Sequence, residues 1–128
     1  MNRFVLLALC AVLAGSCAGR VTLRNRQNLT RLNHGMSKDQ VHAVMGRDVR
    51  RGVNNPYRTA MYMDKEGHPV EVFYYWTDGS LAGGIDDEEL TPLVFRDGML
   101  MGWGRAFWSD FVSKYDLRVQ QDVRVRHR

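Results

Sequence analysis

The sequence predicts a small α+β domain: two helical segments come first, antiparallel strands follow, and a short helix comes after them. Three observations carry this reading. Residues 37–45 satisfy the rules for starting and stopping a helix. Residues 70–76 form a dense run of β-branched and aromatic side chains, the composition of a strand. Asp97-Gly98 lies between two apolar runs, a strong hairpin signal because both central residues of a type I′ turn need positive φ.

The chain opens with Met1-Asn2-Arg3, an apolar run from Phe4 to Ala14, and Leu13-Ala14-Gly15-Ser16-Cys17. A charged start, a short apolar stretch and a small-residue cleavage site describe a signal peptide. The run is too short to cross a bilayer, which takes about 20 apolar residues. Cysteine at the cleavage point gives the special reading: a lipoprotein signal peptide over 1–16, with Cys17 carrying the lipid and a palmitate analogue its natural label. The plainer alternative is ordinary secretion, cut after Ser16 or after Ala18. Ala18, where Asp would argue for inner-membrane retention, favours an outer-membrane anchor facing the periplasm. Residues 17–24 then read as a tether, 25–116 as the domain and 117–128 as a basic tail.

Residues 25–33 carry Leu29 and Leu32 three apart, a modest helix signal. The next helix is sharply marked. Ser37 is an N-cap with Gln40 three residues later, a capping box, and Met36 and Val41 occupy the positions of a hydrophobic staple. Asp39 lies in the first turn, where the helix dipole favours an anion. Val41, Val44 and Met45 form an apolar stripe, and Gly46 ends the helix. A loop with Arg50-Arg51-Gly52 and Asn54-Asn55-Pro56 follows. Tyr57–Met63 and Val70–Trp76 then pair as a hairpin around Asp64-Lys65-Glu66-Gly67.

Residues 77–90 read as a long flexible connection ending in Asp86-Asp87-Glu88-Glu89. The two-residue Asp97-Gly98 turn sets Arg96 opposite Met99 and Phe95 opposite Leu100. Trp108, Phe111, Val112 and Tyr115 recur at three and four, giving a short helix near 106–115. The tail beyond Leu117 reads as an edge strand or as disordered, with disorder expected past about residue 120.

The formal net charge is +4, with arginines gathered at both ends and carboxylates in the middle. Basic ends beside a lipid anchor offer contact with anionic headgroups, about 1 kcal/mol per charge near the surface; a solvated basic surface is the plainer account. Nucleic acid is not an expected partner, since the chain is exported and carries no recognition motif. Cys10 leaves with the signal peptide and Cys17 is lipidated, so a disulfide, a cysteine zinc site and a cysteine nucleophile are all excluded.

The residues Leu32-Asn33-His34-Gly35-Met36-Ser37-Lys38-Asp39-Gln40-Val41, Val44-Met45-Gly46 and Leu93-Val94-Phe95-Arg96-Asp97-Gly98-Met99-Leu100 resemble the SmpA/OmlA (BamE) family of small outer-membrane lipoproteins. The resemblance covers roughly residues 29–103. It implies two helices packed on one face of a three-stranded antiparallel sheet, and a role beside the machine that inserts β-barrels. Two departures stand out. Gly46-Arg47-Asp48 lacks the family's proline, and neither residues 74–90 nor the chain beyond Trp103 has a counterpart. The same architecture also serves in β-lactamase inhibitors, and fold alone does not decide function. With the chain's own C-terminal signals, the expected architecture is two N-terminal helices packed on a small antiparallel sheet of three to four strands, with a short C-terminal helix.

Catalytic signals are absent. His34, His42, His68 and His127 lack zinc spacing, and neither H-E-x-x-H nor G-x-S-x-G occurs. The acidic quartet lacks the alternation of a calcium loop and reads as a solvated loop. No enzyme activity, cofactor or metal is expected. The aromatics are the lead. Phe73, Tyr74, Tyr75 and Trp76 place rings on both faces of one strand, so one face is core and the other needs cover, from the C-terminal helix or from a partner. Tyr75, Trp103 and Trp108 are the candidate partner-binding residues. The expected function is a non-catalytic protein-binding module at the outer membrane; the alternative is an inhibitor-type or ligand-binding module of the same fold.

Overall fold

The computed structural model describes residues 19–47, 53–79 and 84–119. The predicted signal peptide, Cys17, Arg50-Arg51-Gly52 and the tail from residue 120 lie outside the described residues.

Helix α1 occupies residues 19–29, so residues 19–24 of the segment read as a tether are already helical and the helix starts earlier than 25. The reason is polar. Thr22 and Asn25 are the most deeply buried residues of α1, at 2% and 0% exposure, so the inward face has little apolar periodicity to read. Asn25 donates from Nδ2 to Asn55 Oδ1 (3.0 Å) and to the Trp76 carbonyl (2.8 Å). Asn55 in turn donates to the carbonyls of Met45 and Gly46. This relay joins α1, the end of α2 and the central strand, and gives both amide nitrogens and the Asn55 oxygen hydrogen-bond partners.

Helix α2 spans Lys38–Met45, with Ser37 as N-cap, the full capping box formed and Gly46 as C-cap at φ 81°. Five strands follow as one antiparallel sheet: β1 Arg58–Met63, β2 Pro69–Trp76, β3 Leu90–Arg96, β4 Met99–Trp103 and β5 Arg118–Val119. Their spatial order is β4-β3-β2-β1-β5. Four of them form a meander. The fifth is the start of the predicted basic tail, which pairs through Tyr62↔Val119 and Met63↔Arg118. Helix α3, Arg105–Tyr115, carries the chain from β4 at one edge to β5 at the other.

The Asp97-Gly98 turn has φ of 53° and 79°, and the pairs Arg96↔Met99 and Phe95↔Leu100 form as the turn chemistry requires. Gly35 N–H donates to the Leu100 carbonyl, and Leu100 N–H to that of Met36, both at 2.8 Å. The Gly-Met-Ser segment thus closes part of the β4 edge, which would otherwise present open backbone groups.

The sheet is covered on both faces. Phe73, Tyr75, Leu93, Phe95 and Leu100 pack with Leu29, Leu32, Val41 and Met45 from the N-terminal helices. Val70, Val72, Tyr74, Trp76, Leu90 and Val94 pack with Phe107, Trp108, Phe111 and Tyr115 of α3. The cover demanded by the two-faced aromatic strand is therefore α3. A Cβ on Gly102 would stand 2.5 Å from the Phe107 ring, so a glycine inside β4 admits the helix.

Candidate partner-binding site

The three aromatics singled out from the sequence do not form one surface. Tyr75 is wholly buried, at 0% exposure, under the N-terminal helices. It is corrected from a contact residue to a core residue: in β2, odd-numbered rings turn to the α2 face, which the helices fill. Burial pushes its phenol pKa upward. Trp103 lies on the rim of that same face, half-buried and stacked on His34 with centroids 5.3 Å apart. Trp108 lies on the opposite face, in α3.

Trp108 comes to the surface because α3 must turn sharply out of β4. Gly104 takes φ 97° at the helix start, and Trp108 N–H donates to the Gly104 carbonyl at 3.0 Å. The Trp108 ring packs between Tyr62 (5.1 Å, tilted) and Phe111 (6.4 Å, stacked). Its remaining side lines an open cleft of about 310 Å³, shared with Arg58, Tyr74, Asp87, Leu90, Pro92 and Arg105.

The walls of this cleft come from distant parts of the chain. Arg58 on β1 lies over the Tyr74 ring, 3.9 Å from its centroid, a cation–π placement. Its guanidinium also meets Asp87 Oδ1 at 2.9 Å. Arg105, at the first turn of α3, donates to the Asp87 carbonyl. Burial first, then a hydrogen bond to Tyr62, push the Tyr74 phenol upward, so it stays neutral at physiological pH. The cleft therefore offers aromatic and proline surface edged by two guanidinium groups and one exposed carboxylate. That composition suits contact with an extended or acidic chain segment. A second groove of about 290 Å³, lined by Met101, Phe107, Asp110, Phe111, Lys114 and Tyr115, flanks α3 on the β4 side.

Asp87, Arg58 and Arg105 had no local signal in the sequence, since the Arg58–Asp87 pair spans 29 residues. The acidic quartet read as a solvated loop does expose Asp86, Asp87 and Glu88, but residues Asp87–Glu89 form a 3-10 turn that buries Glu89. Glu89 is 2% exposed, its Oε2 accepts from the Asp86 N–H, and its carbonyl accepts from Thr77 and Asp78. These bonds order part of the connection read as flexible; residues 80–83 lie outside the described residues.

His42 tilts against Phe73 at 5.0 Å, and burial, then the Arg47 charge, hold its pKa below the usual range. Among the described residues, no group of three or more His, Cys, Asp and Glu side chains is placed to hold a metal ion, and no helix is long and apolar enough to cross a membrane. Comparison with curated proteins and with solved structures finds no match. A family model does match, over residues 20–110, which spans α1 through the Trp108 turn of α3. The chain thus belongs to the family described as Protein of unknown function (DUF3192).

Proposed function

We propose that this chain is an exported lipoprotein, anchored through Cys17, that works without catalysis as a protein-binding module at the periplasmic face of the outer membrane, in envelope or β-barrel assembly. The observation that carries the binding role is the Trp108 cleft: an open aromatic recess with Arg58 and Arg105 at its edge. Interface energy concentrates in a few Trp, Tyr and Arg side chains set in pockets. The likeness of the Gly35-Met36-Ser37 and Phe95–Leu100 segments to the SmpA/OmlA family, and an α+β fold of the kind that family has, support the envelope setting. The inhibitor-type alternative moves to this same cleft, because helices occupy both sheet faces.

The test is cross-linking and recovery of the lipidated protein from membranes. Trp108→Ala and Arg105→Glu are expected to reduce partner recovery at least tenfold while circular dichroism stays native; truncation of such anchors typically costs about 2 kcal/mol or more. His34→Ala and His42→Ala are expected to leave recovery unchanged. Barrel-assembly components among the recovered proteins support the assembly role, whereas one soluble enzyme supports the inhibitor role. Undiminished recovery with both cleft variants refutes the cleft. Equal palmitate labelling of wild type and Cys17→Ser refutes the anchor.

A further inference from the structure

α1 carries a face that no described element covers. Arg20, Leu23, Arg26 and Gln27 are all exposed, and at 3.6 residues per turn they fall in one arc centred near Leu23; Thr30 and Arg31, also exposed, follow in the turn that closes the helix. Thr22, Asn25, Leu29 and Leu32 lie on the opposite side, packed into the fold. Leu23 is 49% exposed, one of the few large apolar side chains so placed among the described residues.

The charge on this face is unbalanced. No Asp or Glu occurs from Met1 through Lys38. Elsewhere on the described surface three arginines are matched by carboxylates: Arg47 by Asp39, Arg58 by Asp87, Arg96 by Asp64 and Glu66. An exposed arc that sets arginines around one apolar side chain is complementary to an anionic interface, where the cations meet headgroups and the apolar group meets the acyl boundary. Its place in the chain fits too, because α1 is under way by residue 19, two positions after Cys17.

We propose that this face of α1 docks on an anionic bilayer surface, with Leu23 turned toward the acyl boundary and Arg20, Arg26 and Arg31 among the phosphate headgroups. The docking rests on the lipid-anchor reading and adds an orientation to it. A lipid alone leaves the domain free to tumble, whereas the docked helix fixes which side meets the membrane. The Trp108 cleft, on the α3 face of the sheet, is then left accessible to a protein partner.

The experiment uses the lipidated full-length mature protein in vesicles. Gln27→Cys carries a polarity-sensitive fluorophore, and Ser109→Cys on the exposed side of α3 is the control. In vesicles of about one-third phosphatidylglycerol, the label at 27 is expected to report an apolar setting that neutral phosphatidylcholine vesicles do not give; the label at 109 is expected to remain aqueous in both. Each arginine near such a surface is worth about a fivefold factor. Arg20→Glu, Arg26→Glu and Arg31→Glu together are therefore expected to lower the docked-to-undocked ratio at least on the order of a hundredfold. A label at 27 that stays aqueous on anionic vesicles, while the protein still floats with them, overturns the docking and leaves the anchor standing. A protein that floats with neither vesicle overturns the anchor and the docking together. A response at 27 that needs an added membrane protein overturns the lipid as occupant.

Discussion

Asp64 is a buried carboxylate whose hydrogen-bond partners come from the β1–β2 turn and from β3. Its Oδ1 accepts from the N–H groups of Glu66 (3.0 Å) and His68 (2.8 Å), and its Oδ2 from Arg96 Nε (2.9 Å). One side chain thus closes the β1–β2 turn and ties it to β3. Burial works to raise its pKa; the His68 N–H, Arg96 and the Glu66 N–H together outweigh that, and the carboxyl ends below its ordinary value. The folded pKa is lower than the unfolded one. The stabilisation is therefore complete above about pH 4, the unfolded range, and is lost as pH falls from there through the folded value. Urea midpoints at pH 7 and pH 3 are expected to show this loss in wild type and a smaller one in Asp64→Asn. Equal loss in both proteins would remove Asp64 from the account. Tyr75 shows the other limit of residue-level reading. Its ring was visible as part of an aromatic strand, but which face would be filled depends on helices that lie far away in sequence.

Among the elements, α2 and the turn of the β3–β4 hairpin were legible, because their signals are local: Ser37, Gln40 and Gly46 for the helix, and Asp97-Gly98 for the turn and the first two pairs of its register. The bulge between Val94 and Phe95, after which Val94 pairs with Gly102, and the start of β3 at Leu90 were not. α3 was legible from its aromatic spacing and starts one residue earlier than expected. α1 was half legible. Leu29 and Leu32 marked its end, but Thr22 and Asn25 face inward as polar residues, and an apolar periodicity search passes over them. β5 is two residues long and gains its place only from the edge of β1. The candidate cleft was legible only through Trp108, since Arg58, Asp87 and Arg105 meet by tertiary folding. One element-scale contact is open to a direct test. Gly102 gives α3 its seat, so Gly102→Ala is expected to destabilise by about 1–3 kcal/mol through overpacking against Phe107. Thermal melts with a matched Ala106→Gly control separate this clash from a general change in propensity, and an unchanged midpoint for Gly102→Ala would place the helix elsewhere.

At the scale of the whole molecule, two clusters of buried side chains share a single sheet. β2 contributes to both, Phe73 and Tyr75 to one and Val70, Val72, Tyr74 and Trp76 to the other. Neither face can be lost without exposing the other's support, so unfolding is expected to be one cooperative transition. Tryptophan fluorescence, which reports on Trp103 on one face and on Trp76 and Trp108 on the other, and far-ultraviolet dichroism are expected to give coincident urea curves. Two separated transitions would show that the faces fold independently. The relay from Asn25 through Asn55 to the carbonyls of Met45 and Gly46 bears on how the protein is handled. Anyone trimming the chain to a soluble domain by its apolar pattern would cut near residue 25, and would discard the first turns of a helix together with Thr22. Asn25 would then be a frayed terminus, the amide of Asn55 would face solvent, and the end of α2 would lose its fastening to the central strand. A cut at residue 18 leaves this corner sealed, so the choice of first residue decides whether a purified fragment reports on the native protein or on a loosened one.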